Sequence, residues 1–251
     1  MSRNARFADP KWFEDHYCKL YQDIVVNILR RPDQIRGRIL DVGCESGITD
    51  LAIALKDNPQ EIVGVDVQPS FANLLQNANS FGLRLLDLPR SMRFVVIDGE
   101  HLPFGDNYFD LVLSRDTFEH VDRAKLQTML DEIFRVMKGG GLFYLGISPL
   151  YYSANGHHLA DLGIPAHGHL EMSRERLKEI VQTKKDWQGY WDCFLRLNMI
   201  TIRELEELVK RRGFGFVRAY VRSDDIEYSE QLEKYSTVDL ATSQIHWVLR
   251  K

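Results

Sequence analysis

The stretch Asp41-Val42-Gly43-Cys44-Glu45-Ser46-Gly47 follows the apolar run Ile39-Leu40 and precedes Ile48, Leu51, Ala52 and Leu55, which are spaced one helical turn apart. Consecutive apolar residues, a glycine-bearing turn, then period 3.6 read as strand, tight loop, helix. Working outward, Glu61 to Val67 reads as a second buried strand, Arg93 to Ile97 as a third and Phe109 to Leu113 as a fourth. Phe71, Leu74, Leu75 and Ala78 mark a helix between the second and third strands. Leu126, Met129, Leu130, Ile133, Phe134 and Met137 mark another after the fourth. The glycines Gly139 to Gly141 are expected to stop that helix, and Leu142 to Ile147 to form a fifth strand. Strands apolar at consecutive positions need cover on both faces, which is the habit of parallel sheets with helical crossovers. The chain is therefore expected to be α/β and doubly wound.

In an open parallel sheet, ligands bind beyond the carboxyl ends of the strands, so the residues at each strand end carry the functional signal. Gly43 and Gly47 let the backbone turn tightly beside a ligand, and Asp41 puts a carboxylate at the same tip. A dinucleotide fingerprint fails here, because the places two and five after Gly43 hold Glu45 and Ile48. Two carboxylates, Asp41 and Glu45, would repel a pyrophosphate, and no Walker A loop is present. Acidic residues suit a cationic ligand such as an ammonium or a sulfonium; a plain βα turn is the alternative. Asp66, at the second tip, suits the two hydroxyls of a ribose, or it is a solvated turn residue. Asp98, in Ile97 to Phe104, could accept from an exocyclic amine, with Leu102 and Phe104 lining a ring. At the fourth tip, Ser114, Arg115, Phe118, Glu119 and His120 face the place where chemistry would occur. His120 reads equally as a general base or as a capping residue.

The 251 residues are 44% hydrophobic and 27% charged, which suits one sizeable domain with a real core. A net charge of −4 argues against a broad nucleic-acid or anionic-membrane surface. Cys18, Cys44 and Cys193 form no CxxC pair, so neither a disulfide framework nor a cysteine zinc site is expected. Met1 to Trp12 lacks an apolar signal core, and no run approaches the ~20 apolar residues of a membrane span. A cytoplasmic protein is expected.

After Pro149 the alternation breaks. Residues 150–198 are rich in His, Tyr, Trp and Gly and lack a strand pattern, before a helix at Ile202 to Arg212 and strands near Phe216 to Arg222 and Gln244 to Leu249. This insertion reads as a cap that recognises a substrate, or as plain helical cover. Tyr151, Tyr152, His167 and His169 are its candidate substrate-binding residues, and His157 and His158 join Glu119 and His120 as candidate catalytic groups. The four histidines match no zinc signature, and no metal is expected. Residues 1–35, with Tyr17, Tyr21, Ile24, Val25, Ile28 and Leu29, read as a helical segment packed on the sheet or over the site.

The ordered set DVGCESG, VGVDV, IDGEHLPF, FDLVLSRDTFEHV and FRVMKGGGLFYL resembles the class I S-adenosylmethionine-dependent methyltransferases of the type 11 group, over residues 36 to 148. The resemblance implies a Rossmann-like sheet of seven strands in the order 3-2-1-4-5-7-6 with an antiparallel last strand. It implies S-adenosylmethionine as cofactor, with S-adenosylhomocysteine as product. Asp41, Gly43, Cys44 and Gly47 would then hold the methionine part, Asp66 and Val67 the ribose, and Asp98, Gly99 and Glu100 the adenine. Ser114 and Arg115 would lie near the methyl group. Two positions depart from the family pattern: Glu45 replaces a glycine, and Gly139 a proline. The expected reaction is methyl transfer to a small-molecule acceptor. A catalytically inactive binding or scaffold module is the other reading, and a nicotinamide oxidoreductase is disfavoured by the failed glycine spacing.

Overall fold

In the computed structural model, which describes residues 7–159, 162–185 and 187–251, the alternation becomes seven strands. These are β1 (Arg38–Val42), β2 (Glu61–Asp66), β3 (Met92–Val96), β4 (Phe109–Arg115), β5 (Met137–Ile147), β6 (Gly215–Ser223) and β7 (Thr242–Arg250). They form one sheet in the order β3-β2-β1-β4-β5-β7-β6. Strands β1 to β5 pair in parallel, and β7 runs antiparallel to both neighbours. The doubly wound, mostly parallel fold and its strand order are as the sequence led us to expect. Residues 1–6 of the N-terminal segment and 160, 161 and 186 of the insertion lie outside the described residues.

The helices are α1 (Pro10–Glu14), α2 (Ile48–Asp57), α3 (Leu74–Phe81), α4 (Leu126–Val136), α5 (Gly168–Glu171), α6 (Arg174–Gln182), α7 (Trp187–Leu195), α8 (Ile202–Arg212) and α9 (Thr237–Ala241). The period of two in each strand sorts its side chains onto two cores. Leu40, Val63, Val112 and Phe143 face α4 and α8, meeting Met129, Leu130, Ile133, Leu205 and Val209. Ile39, Ile62, Leu111 and Tyr144 face the other way, against Ala52 and Ile53 of α2 and the N-terminal segment. Each such side chain contributes roughly 1.5–3 kcal/mol by leaving water.

Asp9 caps α1, its carboxylate accepting from the Trp12 amide at 2.9 Å. The helix continues as wide π turns through Ile28. Its apolar side, Tyr21, Ile24, Val25, Ile28 and Leu29, lies on the sheet face rather than over the strand tips. Among the described residues no helix is long and apolar enough to cross a membrane.

One boundary differs from expectation. The glycines Gly139 to Gly141 lie inside β5, and α4 ends before them at Val136. Phe109 pairs with Met137 and Leu111 with Leu142, so β5 bulges between the two pairs. Gly140 has φ +79° there. A Cβ on Gly141 would approach the Lys138 carbonyl at 2.9 Å and the Asp110 carbonyl at 3.1 Å. The glycines serve the bulge, not the end of the helix.

Residues 150–198 carry α5, α6 and α7, and no strand among those described. Leu159, Leu162, Ile164, Leu177, Val181, Trp191, Phe194 and Leu197 give the segment an apolar cluster of its own. It joins the sheet at the carboxyl end of β5, where Ser148-Pro149 is cis.

Candidate functional site

The carboxyl ends of β1, β2 and β4 meet at the glycine loop. The Gly43 and Cys44 amides both donate to the Val65 carbonyl, at 2.8 and 3.1 Å, drawing the loop across β2. Gly43 has φ +83°, and a Cβ there would lie 2.0 Å from the Thr117 hydroxyl oxygen. Glu45 also has a positive φ, +47°, the conformation for which glycine is the default residue. The Asp66 carboxylate supports it: Oδ2 accepts from the Glu45 amide and Oδ1 from the Gln68 amide, both at 3.0 Å. Cys44 is buried, and burial among carboxylates pushes its thiol well above the ordinary range.

Asp98 is exposed and accepts from the His101 and Glu100 amides, which hold its carboxyl down at about 2. Val67 and Gly99 adjoin, a Cβ on Gly99 falling 3.2 Å from the Val67 side chain. Glu100 pairs with Lys125 at 2.6 Å. Behind this edge, Arg135 donates to the Leu102 and Phe104 carbonyls and pairs with Glu132 and Asp106, fixing the loop that follows Asp98.

Acid accumulates beneath and beside the loop. Burial pushes Asp41 up to about 6, with the Asp66 charge adding to the rise. Asp50, from α2, is 1% exposed, and neither carboxyl oxygen has a hydrogen-bond partner of normal geometry. Burial and the Asp41 charge raise it well above the carboxylate range. At the β4 tip, burial lifts Asp116 to about 6 despite Arg115, whose Nε lies 3.1 Å from its Oδ2. Glu119 is 3% exposed, neither of its oxygens is hydrogen-bonded, and burial raises it strongly. Ser114 is fully buried, and its hydroxyl donates to the Val42 carbonyl at 3.0 Å, tying β4 to β1.

Asn198, where the insertion ends, grips the same tip. Its backbone amide donates to the Glu119 carbonyl, and its side-chain amide to the Phe118 and Val121 carbonyls at 2.6 and 2.8 Å. His120 and His158 meet edge to face, with ring centroids 5.3 Å apart. Of the candidate catalytic residues, Glu119, His120 and His158 therefore gather at the junction of the β4 tip and the insertion. His157 does not join them: it is fully buried inside the insertion, 5.0 Å from the His169 ring, its Nδ1 accepting from the Leu159 amide. Burial holds His157 and His169 neutral, near 4 and 3. His169 donates through Nε2 to the Tyr151 carbonyl, and His167 donates likewise to the Leu240 carbonyl. Tyr151 packs on Tyr152 and His169, and Tyr152 on Tyr235, so Tyr151, Tyr152, His167 and His169 brace the segment internally and against residues 235–240.

A pocket of about 480 Å³ opens beyond β5, β6 and β7, lined by Pro149, Asn155, His158, Arg222, Asp224, Ser243 and Gln244. Of these only His158 was singled out from sequence, because β6 and β7 reach the site only through tertiary pairing. Asp50 did leave a signal: a carboxylate on the apolar side of α2, between Ile48 and Leu51. Cys193 and Asn198 left none.

Residues 40–145 match the family model described as a methyltransferase domain. An uncharacterised protein of Methanocaldococcus jannaschii is 23% identical over 90% of this chain and 88% of its own length. An uncharacterised methyltransferase of Synechocystis is 28% identical over 51% of this chain and 53% of its own length, so the chain spans about half of that relative. Among solved structures, a SAM-dependent methyltransferase of Methanosarcina mazei shares the fold at a TM-score of 0.57 and 19% identity, over 90% of this chain and 97% of that one. The strand order, the acidic tips and the methyltransferase domain matched over residues 40–145 together support a class I S-adenosylmethionine-dependent methyltransferase.

Proposed function

We propose that the chain methylates a small polar acceptor held in the pocket beyond β5 and β7. The single observation that carries this reading is the pocket itself. It is small, polar and bordered by His158, which stands against His120 of the β4 tip. Arg222 and Asp224 on its wall suit an acceptor carrying both charge signs, or a carboxylate set against the guanidinium.

The donor set fits the cofactor's charge. Asp41, Asp50, Asp116 and Glu119 are burial-raised carboxyls around the glycine loop and β4 tip, with the Arg115 guanidinium among them. A cationic ligand relieves that crowding, whereas a pyrophosphate would worsen it. Bound S-adenosylmethionine supplies an electrophilic methyl group on a sulfonium. Asp41 and the loop from Gly43 through Cys44 to Gly47 would hold the methionine part. Asp66 has lone pairs beyond its two amide bonds for the ribose hydroxyls, with Val67 beside it, and Asp98, Gly99 and Glu100 would flank the adenine. Ser114 would act through the backbone of β1 rather than by direct contact, and Arg115 would set the charge at the transfer end. Glu119, and His120 where its imidazole binds nothing else, are the groups placed to take a proton from an acceptor hydroxyl or amine. The acceptor heteroatom loses that proton and gains the methyl, and the sulfonium becomes a neutral thioether. Alignment and a dry site do the rest.

The test is transfer of labelled methyl from S-adenosylmethionine into separated fractions of a cell extract. Label in the low-molecular-weight fraction, lost when Gln244→Trp fills the pocket while cofactor binding persists, supports the reading. Label confined to protein or nucleic acid sinks it.

A further inference from the structure

His120, His158 and Cys193 are 38 and 35 residues apart in sequence, yet the fold brings their ligand-bearing atoms within 4.8 Å of one another. His120 comes from the turn after β4, His158 from the insertion and Cys193 from α7. All three are partly buried, accessible to an ion yet shielded from bulk solvent. Two features of the surroundings resemble those of a ligand set. His158 has φ +56° and donates through Nε2 to the Pro149 carbonyl at 3.1 Å, which fixes the ring and leaves Nδ1 to bind. Metal-bound histidines characteristically donate their other ring N–H to a carbonyl or carboxylate in this way. The turn that carries His120 is in turn held by the three Asn198 hydrogen bonds to residues 118–121.

We infer that His120, His158 and Cys193 form a binding site for one divalent ion of zinc's class. Two imidazoles and a thiolate are borderline-soft donors, which suits zinc or cobalt and disfavours magnesium or calcium. Zinc bonds of about 2.0–2.3 Å put tetrahedral ligand atoms about 3.3–3.8 Å apart, so binding closes the cluster by about an ångström through side-chain rotation. The Cys193 thiol gives its proton to solvent as the sulfur–metal bond forms. Three protein ligands leave a fourth position for water or for a donor atom of a molecule in the adjoining pocket, since His158 lines both. The histidines that drew attention in the sequence, His157, His167 and His169, take no part. Cys193, which the sequence places in no metal-binding pattern, supplies the third ligand.

The test is titration of chelator-stripped full-length protein with cobalt(II), followed by competition with zinc. The expected result is about one cobalt per chain with a near-ultraviolet thiolate-to-metal band. Cys193→Ser should abolish the band, and His158→Ala, which removes a ligand outright, should weaken binding by at least about a hundredfold. Cys18→Ser, at an exposed cysteine away from the cluster, and His167→Gln should leave both intact. Circular dichroism and calorimetry with S-adenosylmethionine on the same preparations separate misfolding, and failure of the methyl-transfer reading, from failure of this one. A band that survives Cys193→Ser, or cobalt binding without any thiolate band, overturns the site. So does well under one ion per chain in a protein that still binds the cofactor.

Discussion

The Glu45 backbone amide donates to Asp66 Oδ2 at 3.0 Å, so the carboxylate at the β2 tip holds the middle of the glycine loop on β1. The bond supports a residue at φ +47°, in the left-handed region where glycine is the default residue. A non-glycine residue in this conformation costs about 1–2 kcal/mol, and glycine returns about 0.5–1 kcal/mol of that as entropy of the unfolded chain. Glu45→Gly is therefore expected to stabilise the protein by about 0.5 kcal/mol. Urea unfolding checks it; a loss of more than that would mean the Glu45 side chain is needed in place.

Asp66 itself has no adequate substitute. Both of its oxygens accept from backbone amides, whereas the amide of an asparagine offers one acceptor and turns a donor against the other N–H. Asp66→Asn and Asp66→Ala should thus behave alike, each destabilising by about 1–3 kcal/mol. Each should also weaken S-adenosylmethionine binding at least tenfold in calorimetry. Retention of full affinity by Asp66→Asn would show that the carboxylate serves the loop alone.

Stability should fall as pH rises through the Asp41 transition. Its folded value is about 6 against 3.8 for an ordinary aspartate, so the folded state binds the extra proton between the two. The favourable contribution is complete below 3.8 and is lost as pH rises through about 6. His157 and His169 act in the opposite sense, withdrawing stability as pH falls from 6.5 toward 4 and 3. They do so in any Asp41 variant too. The difference between Asp41→Asn and the parent, measured by urea unfolding, should be near zero at about pH 4 and reach roughly 2 kcal/mol in the variant's favour at about pH 7. Because a cation favours ionised Asp41, cofactor affinity should rise over the same range in the parent and stay flat in the variant.

How much of this was legible follows from what each feature depends on. The sheet was readable because strands buried on both faces must be apolar at every position, as in Ile62-Val63-Gly64-Val65. The acidic tips were readable because they sit at fixed places after those strands. The glycines at 139–141 misled because glycine serves a bulge as readily as a helix end, and only the pairing of Phe109 with Met137 distinguishes the two. The histidines of the insertion looked alike in sequence. Burial separates them, His157 turning into the apolar interior and His158 toward His120. Asn198 lies 77 to 80 residues from the carbonyls its side chain binds, a distance no local pattern spans.

Asn198 supplies the sharpest test of how the insertion serves the chemistry. Its hydrogen bonds to Phe118, Glu119 and Val121 fix the turn that presents Glu119 and His120, and its Oδ1 accepts from the Ile200 amide. None of these contacts involves the glycine loop, Asp66 or Asp98. Asn198→Ala keeps the backbone bond to Glu119 but leaves the Phe118 and Val121 carbonyls and the Ile200 amide without their partner, and should destabilise by about 2–3 kcal/mol. S-adenosylmethionine affinity should stay within about twofold, while kcat/KM for methyl transfer falls at least tenfold as the transfer end loses its alignment. Calorimetry and the labelled-methyl assay read the two effects separately. A variant that loses stability yet keeps full turnover would show that the insertion is cover for the sheet and takes no part in presenting the acceptor.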